Sequence, residues 1–282
     1  MGVLFRAGEL TERIVLAAEA RVGGRTLHVL GWQGCAASRA GPNAVLLPLP
    51  VTPEVLTVEA LAQSVVSLPT EAFPHVLEDM ARAAWPATRI PRPAGGPPPA
   101  ATVFAHGVHS VVLAPDATSL TAALDQMPLA RRPALDPALL SAYAAWYPGW
   151  ALVAVCFDSA DAVKAPPIVL AYPPADPAHL FAPGLSCQAG GGVPDPEARV
   201  EVDITTVIAA ADMEKPFRHK VKPVAYTDAL PDKVRALLPD EVIAYKHRGR
   251  LPNGDWRVPV EVVRRAGDFD FWKRVMPPFI ER

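Results

Sequence analysis

The chain has 282 residues, half of them hydrophobic, and 27 Lys and Arg against 29 Asp and Glu give a net charge of -2. That is enough apolar material for the core of one large domain, and the near balance of charge excludes a globally basic nucleic-acid binder or a polybasic membrane-surface protein. Charges at Arg6, Glu9, Glu12 and Arg13 break the N-terminal apolar residues before a secretory h-region forms, and the apolar runs at 150–157 and 166–172 fall far short of the roughly 18 residues a membrane helix needs. With Cys35, Cys156 and Cys187 widely spaced, reduced thiols are expected rather than a disulfide scaffold, so the reading is a soluble cytoplasmic protein.

The first local signal is a hairpin. Residues 14–22 and 25–33 flank Gly23-Gly24, which suits the positive φ angles of a two-residue turn. That register sets Glu19 opposite His28 and Arg21 opposite Thr26 on a polar face, with Leu16, Ala18, Ala20, Leu27 and Val29 on an apolar one. A helix over residues 9–20 competes, because the stretch also contains good helix formers.

Residues 43–50, Asn-Ala-Val-Leu-Leu-Pro-Leu-Pro, read as a short buried strand ended by proline. Thr52-Pro53-Glu54 has the cap, first-turn proline and early acid of a helix start, with Leu56, Val58, Leu61 and Val65 as its apolar stripe; residues 73–85 read as a second helix. The proline-rich stretch 91–101 fits no regular element and is read as an excursion within one domain spanning 1–282, a domain boundary being the alternative. A strand over 102–114 comes next, then a short helix at 119–126, then another opened by Asp136 as cap and Pro137 in the first turn.

From residue 150 onward the pattern changes. Runs at 150–157, 167–172, 180–187 and 199–209 predict consecutive antiparallel strands, and Asn253-Gly254 between 241–248 and 256–263 predicts a second hairpin. The expected fold is α+β: an antiparallel-rich mixed sheet with helices packed on it, in a single domain.

Few motifs carry chemistry. His106 and His109 on one continuous strand point to opposite faces unless Gly107 introduces a bulge, and no Cys-x-x-Cys or His-Glu-x-x-His accompanies them, so neither a metal nor another cofactor is expected. The three glycines at 190–192 lack the Lys-Ser/Thr of a phosphate loop. Residues 184–188 fall one glycine short of a nucleophile elbow. Cys35, just past a strand, is the best enzymatic candidate, a thiol that His28 could activate in a hydrolase or transferase; a small buried thiol is the plainer account, and His28 also suits pairing with Glu19.

Charge is distributed unevenly. Residues 1–212 hold 12 Lys or Arg and 19 Asp or Glu, a balance of -7, whereas residues 213–282 hold 15 and 10, a balance of +5. Arg218, Lys220 and Lys222 form one basic group and Lys246, Arg248 and Arg250 another, and together they form a candidate surface for an anionic or protein partner, with no sequence-specific nucleic-acid signal. The alternative is a basic segment that packs on the acidic remainder or is simply solvated.

The 43–50 stretch resembles an N-A-hydrophobic-L-P-L-P segment of certain uncharacterised bacterial proteins. The order Trp146-Tyr147-Pro148-Gly149-Trp150, Pro166-Pro167-Ile168 and Leu180-Phe181-Ala182-Pro183 is similar to the layout of bacterial domains of unknown function. That resemblance implies no catalytic residues. Some members place a histidine-rich turn where this chain has Ser186-Cys187-Gln188, so it brings no metal or acid-base role here. A binding or assembly module therefore ranks above an enzyme.

Overall fold

A computed structural model describes residues 3–5, 8–38, 41–56, 66–67, 103–106, 109–158, 167–186, 192–214, 221–226 and 232–265. In chain order the strands are β1 (Val3–Leu4), β2 (Gly8–Val22), β3 (Arg25–Ser38), β4 (Asn43–Leu49), β5 (Val66–Ser67), β6 (Val103–His106) and β7 (His109–Ala114). Helices α1 (Ala117–Asp125) and α2 (Pro137–Trp146) follow, then β8 (Ala151–Phe157), β9 (Ile168–Tyr172), β10 (His179–Ala182), β11 (Arg199–Ala209) and β12 (Lys222–Pro223). The short helix α3 (Asp232–Arg235), β13 (Glu241–Pro252), β14 (Trp256–Pro259) and α4 (Val260–Arg264) complete the described chain.

The strands form a five-stranded sheet in the order β1-β4-β8-β7-β6, a seven-stranded sheet in the order β12-β13-β11-β2-β3-β9-β5, and the two-stranded pair β10-β14. The two larger sheets share one core. Val45, Leu47, Val153 and Val155 from the first meet Val15, Leu30, Trp32 and Leu170 from the second, and Leu180 and Trp256 of the small pair join them. The other face of the five-stranded sheet is covered by Leu120, Leu124, Leu139 and Tyr143 of α1 and α2. The other face of the seven-stranded sheet is covered in part by Val234, Leu237 and Leu238 at and after α3.

This corrects the α+β expectation: the fold is mostly β, with two stacked sheets and few, short helices among the described residues. The physical reason lies in two-sided burial. Strands covered on both faces read as continuous apolar runs, which carry no alternation to mark them off from helices. β4 is buried at every position. Its Pro48 is tolerated because Phe5 N donates to Ala44 O on the β1 side. Alternation turns the Pro48 nitrogen to that same side, beyond Leu46, the last β4 residue paired with β1 among the described residues, and away from β8, which needs its ladder donors.

The first hairpin forms with the expected register, Glu19 opposite His28 and Arg21 opposite Thr26, and Gly23 and Gly24 have φ of 57° and 77°. Its predicted polar face is polar only near the tip; farther along, Val15, Ala17, Leu30 and Trp32 on that face enter the main core. Asp136 caps α2 as anticipated, accepting from the backbone N–H of Ala138 and Leu139, and Asp116 caps α1. The run at 102–114 is two paired strands, β6 and β7, not one.

The four later strands exist but are not neighbours. β8 lies between β4 and β7, β9 pairs with β3 and β5, β10 pairs with β14, and β11 pairs antiparallel with β13 and parallel with β2. The second predicted hairpin is also absent, because β13 pairs along Ile208 to Arg199 of β11 and β14 goes to β10. Of the predicted helix at 52–65, a 3-10 turn at Pro53–Val55 is described. Positions 57–65, the predicted helix at 73–85 and the proline-rich stretch 91–101 lie outside the described residues.

Candidate functional site

Four of the six basic candidates come together on one sheet face. Lys246, Arg248 and Arg250 alternate along β13, and Lys222 on β12 is the register partner of Val242, two pleats before Lys246 on the same face. Arg218 and Lys220 lie outside the described residues. Directly across on β11 stand Thr205, Asp203 and Glu201. Lys246 Nζ is 3.3 Å from Asp203 Oδ1 and Arg248 Nε is 3.4 Å from Asp203 Oδ2. Arg199 donates to Arg250 O at 2.6 Å, and Arg250 returns a bond to Arg199 O at 3.3 Å.

Along this ribbon Arg199, Lys246, Arg248 and Arg250 face Glu201 and Asp203, four cations against two carboxylates. The Arg248 side chain is 70% exposed and that of Asp203 58%. Pairs this exposed are individually weak and salt-screened, so the cations are free to exchange Asp203 for an external anion. Between them His247 turns inward, buried and lying between the rings of Tyr245 and Trp256.

Cys35 and His28 are not brought together. Both lie on β3, seven residues apart along the strand, a backbone separation of about 23 Å. Cys35 is the register partner of Thr11. His28 is buried and meets Tyr172 edge-on, with ring centroids 6.1 Å apart. Burial pushes its pKa from 6.5 down to about 4, against the opposing influence of Glu19, the Pro177 backbone and Asp176. The carboxylate of Glu19 is itself held by Arg264 at 3.0 and 3.2 Å and by Ala211 N at 3.1 Å, leaving His28 Nε2 without a hydrogen-bond partner among the described residues.

His106, the last residue of β6, and His109, the first of β7, are register partners, so they do not lie on one continuous strand. Among the described residues no three His, Cys, Asp or Glu are grouped to hold a metal. Burial pushes the Cys156 thiol up to about 12.

Sequence reasoning missed two polar centres. The Asn253-Gly254-Asp255 segment, read as a hairpin turn, is a buried crossing from β13 to β14. Asp255 accepts from Tyr147 Oη at 2.5 Å and from the N–H groups of Gly184 and Leu185 at 2.6 and 2.9 Å. Burial raises the Asp255 pKa, outweighing these bonds, and burial followed by the neighbouring carboxylate raises that of Tyr147 well above its ordinary value. Asn253 donates to Ser186 O and Asp195 O and accepts from Ser186 N. The near-elbow at 184–186 is therefore a loop pinned by two side chains. In the second centre Asp176 Oδ2 lies 2.8 Å from His179 Nδ1 and accepts from Arg257 at 2.5 Å. Burial raises the Asp176 pKa, but bonds from Arg257, Ala178 N and His179 outweigh it and hold the carboxyl below its usual value.

One cleft of about 580 Å³ lies beside the tip of β2. Glu19, Ala20 and Arg21 line one side, with Asp212, Asp240 and Glu241 among the rest. Asp212 has a left-handed φ of 57° and pairs with Arg21 at 2.8 Å.

Among the described residues no helix is long and apolar enough to cross a membrane. No protein-family model matches the chain, and no curated protein matches it. A similar solved structure is that of baculovirus P35, covering 93% of this chain and 92% of that one at 10% identity with a TM-score of 0.42, too low to carry an argument.

Proposed function

We propose that the protein is a cytoplasmic binding or assembly module that docks an anionic protein partner on the basic face of β11 and β13. The observation that supports this reading is the placement of Arg199, Lys246, Arg248 and Arg250 on one exposed ribbon face against two carboxylates. Lys222 extends the same face toward β12. Alternate positions on a strand are about 6.6 Å apart, so successive cations match acidic side chains spaced two residues apart on an extended partner. The fields of such neighbours add, which raises the local concentration of anions and makes binding salt-dependent.

The test is retention on an acidic peptide column at low and high salt, comparing the native chain with Lys246→Gln/Arg248→Gln/Arg250→Gln. Exposed charges contribute little to stability, so the triple variant should melt near the native temperature while eluting at markedly lower salt. Equal elution of the two proteins would remove the reading.

A further inference from the structure

The cleft beside β2 has a geometry that follows from strand pairing. β11 runs parallel to β2 from Ile204 opposite Arg13 to Ala209 opposite Ala18, then leaves through Ala210 and the left-handed Asp212. β2 continues as strand to Val22, still paired with β3 on its other side. Glu19 to Val22 therefore have no ladder partner on the β11 side among the described residues. The cleft touches Glu19, Ala20 and Arg21 in succession. Consecutive strand residues point to opposite faces, so a cavity that meets all three lies along the strand edge, in the lane that β11 vacates.

Its chemistry is one-sided. Four carboxylates, those of Glu19, Asp212, Asp240 and Glu241, and one guanidinium, that of Arg21, line it. Arg264 and Arg235, outside the lining, pair with Glu19 and Asp240, which reduces the balance from -3 to -1. Glu241 has no ion pair among the described residues, and Asp212 is paired with Arg21 at the rim. Ala20, Met213 and Leu238 give the cleft an apolar lining able to hold an aliphatic stem.

We propose that this lane is a docking groove for an extended, lysine- or arginine-bearing peptide segment, which adds as a short strand to the open edge of β2 at Glu19–Val22 and sets its cationic side chains against Glu241 and Asp212. An unpaired strand edge offers main-chain hydrogen bonds to any extended segment, and the flanking side chains select which one. The open edge is about 13 Å long, room for four residues. Affinity for an isolated peptide is therefore modest, on the order of 0.1 mM. The groove lies at the other end of the β2–β11 ladder from Arg199, Arg248 and Arg250, with Lys222 adjoining its lining residue Pro223, and takes a partner segment of the opposite sign.

The experiment uses the full chain and a fluorescent Gly-Lys-Val-Arg-Val-Lys-Gly peptide, followed by anisotropy. The same peptide with glutamate for each basic residue and a copy N-methylated at alternate backbone positions serve as comparison probes. The basic peptide binds, whereas the acidic and N-methylated versions bind at least about fivefold more weakly. Glu241→Gln and Asp212→Asn, the latter chosen because Asn tolerates the left-handed conformation, each weaken the basic peptide about fivefold. The triple Gln variant of the basic face binds it normally. No binding at roughly 1 mM peptide, equal binding of the acidic peptide, or indifference to N-methylation overturns the proposal. The three peptides are compared on the native protein, so these outcomes stand even where a variant fails to fold.

Discussion

His28 should make the protein acid-sensitive in a window set by its own burial. Its folded pKa of about 4 lies below the ordinary 6.5, with burial as the largest cause. Between those two values the unfolded chain holds a proton that the folded chain refuses, so stability rises with pH across the window. The contribution is complete above about pH 6.5 and is lost as pH falls toward about 4; at 1.36 kcal/mol per pKa unit it amounts to about 3 kcal/mol. That is a large share of the 5–15 kcal/mol typical of a domain. Glu19 and Asp176 face the ring and soften the effect without reversing it. His28→Gln removes the titrating group while keeping a neutral polar side chain. Urea unfolding of both proteins at about pH 7 and about pH 4 gives the measurement. The native chain should lose about 3 kcal/mol more than the variant over that interval, because carboxyl groups that do not act on the ring, such as Asp255, titrate in both proteins and cancel in the comparison. Equal losses would falsify the assignment of this acid response to His28.

Three further outcomes follow from packing. Gly184→Ala would set a methyl against Gly254 O and 2.8 Å from the Trp256 ring, so it should destabilise by at least about 2 kcal/mol, and an unchanged melting midpoint would refute the close approach. Tyr147→Phe leaves Asp255 Oδ2 without its buried donor and should cost about 1–3 kcal/mol, whereas Asp255→Ala strands the Gly184 and Leu185 N–H groups and should cost more; the reverse order in urea unfolding would contradict the role given to Asp255. Thr206 is fully buried with no partner for Oγ1 among the described residues, so Thr206→Val, which keeps the shape and removes the hydroxyl, should stabilise by about 1 kcal/mol, and a lower midpoint would mean that the hydroxyl is satisfied.

What the sequence made legible was local. Gly23-Gly24 sets the sign of φ at two residues and so pins the register of β2 on β3 from Val22 back to Ile14, where it shifts; Asp136-Pro137 settles the start of α2 within one turn. The alternation of Lys246, Arg248 and Arg250 likewise placed them on one face once β13 was a strand. What stayed hidden depended on partners far away in the chain. Asn253-Gly254 looks like a hairpin turn, yet β13 finds a longer partner in β11 and β14 finds β10, so the asparagine is used as a buried cross-link. Glu19 suits His28 by register, but Arg264, 245 residues away, carries a full charge and takes the carboxylate. A guanidinium outcompetes a neutral imidazole for a buried anion, and nothing local in the sequence reveals that it will arrive.

Both candidate surfaces lie where the pairing of β2 with β11 ends. β11 pairs with β2 over Ile204 to Ala209, six of its eleven residues. Before Ile204 both strands run on, β2 from Gly8 and β11 from Arg199, but among the described residues β11 there pairs with β13 only, which sets Arg199, Glu201 and Asp203 on an exposed ribbon face beside Arg248 and Arg250. At the other end β2 extends past β11, which leaves Glu19 to Val22 with an open edge. The ladder thus gives way to a basic ribbon at one end, where β2 and β11 part, and to a one-sided acidic lane at the other, where β2 outruns β11. Changing the charge of either end should leave the six-residue ladder intact, because its contacts are Leu16, Ala18, Val207 and Ala209 on one face and Val15, Ala17, Ile204 and Ile208 on the other.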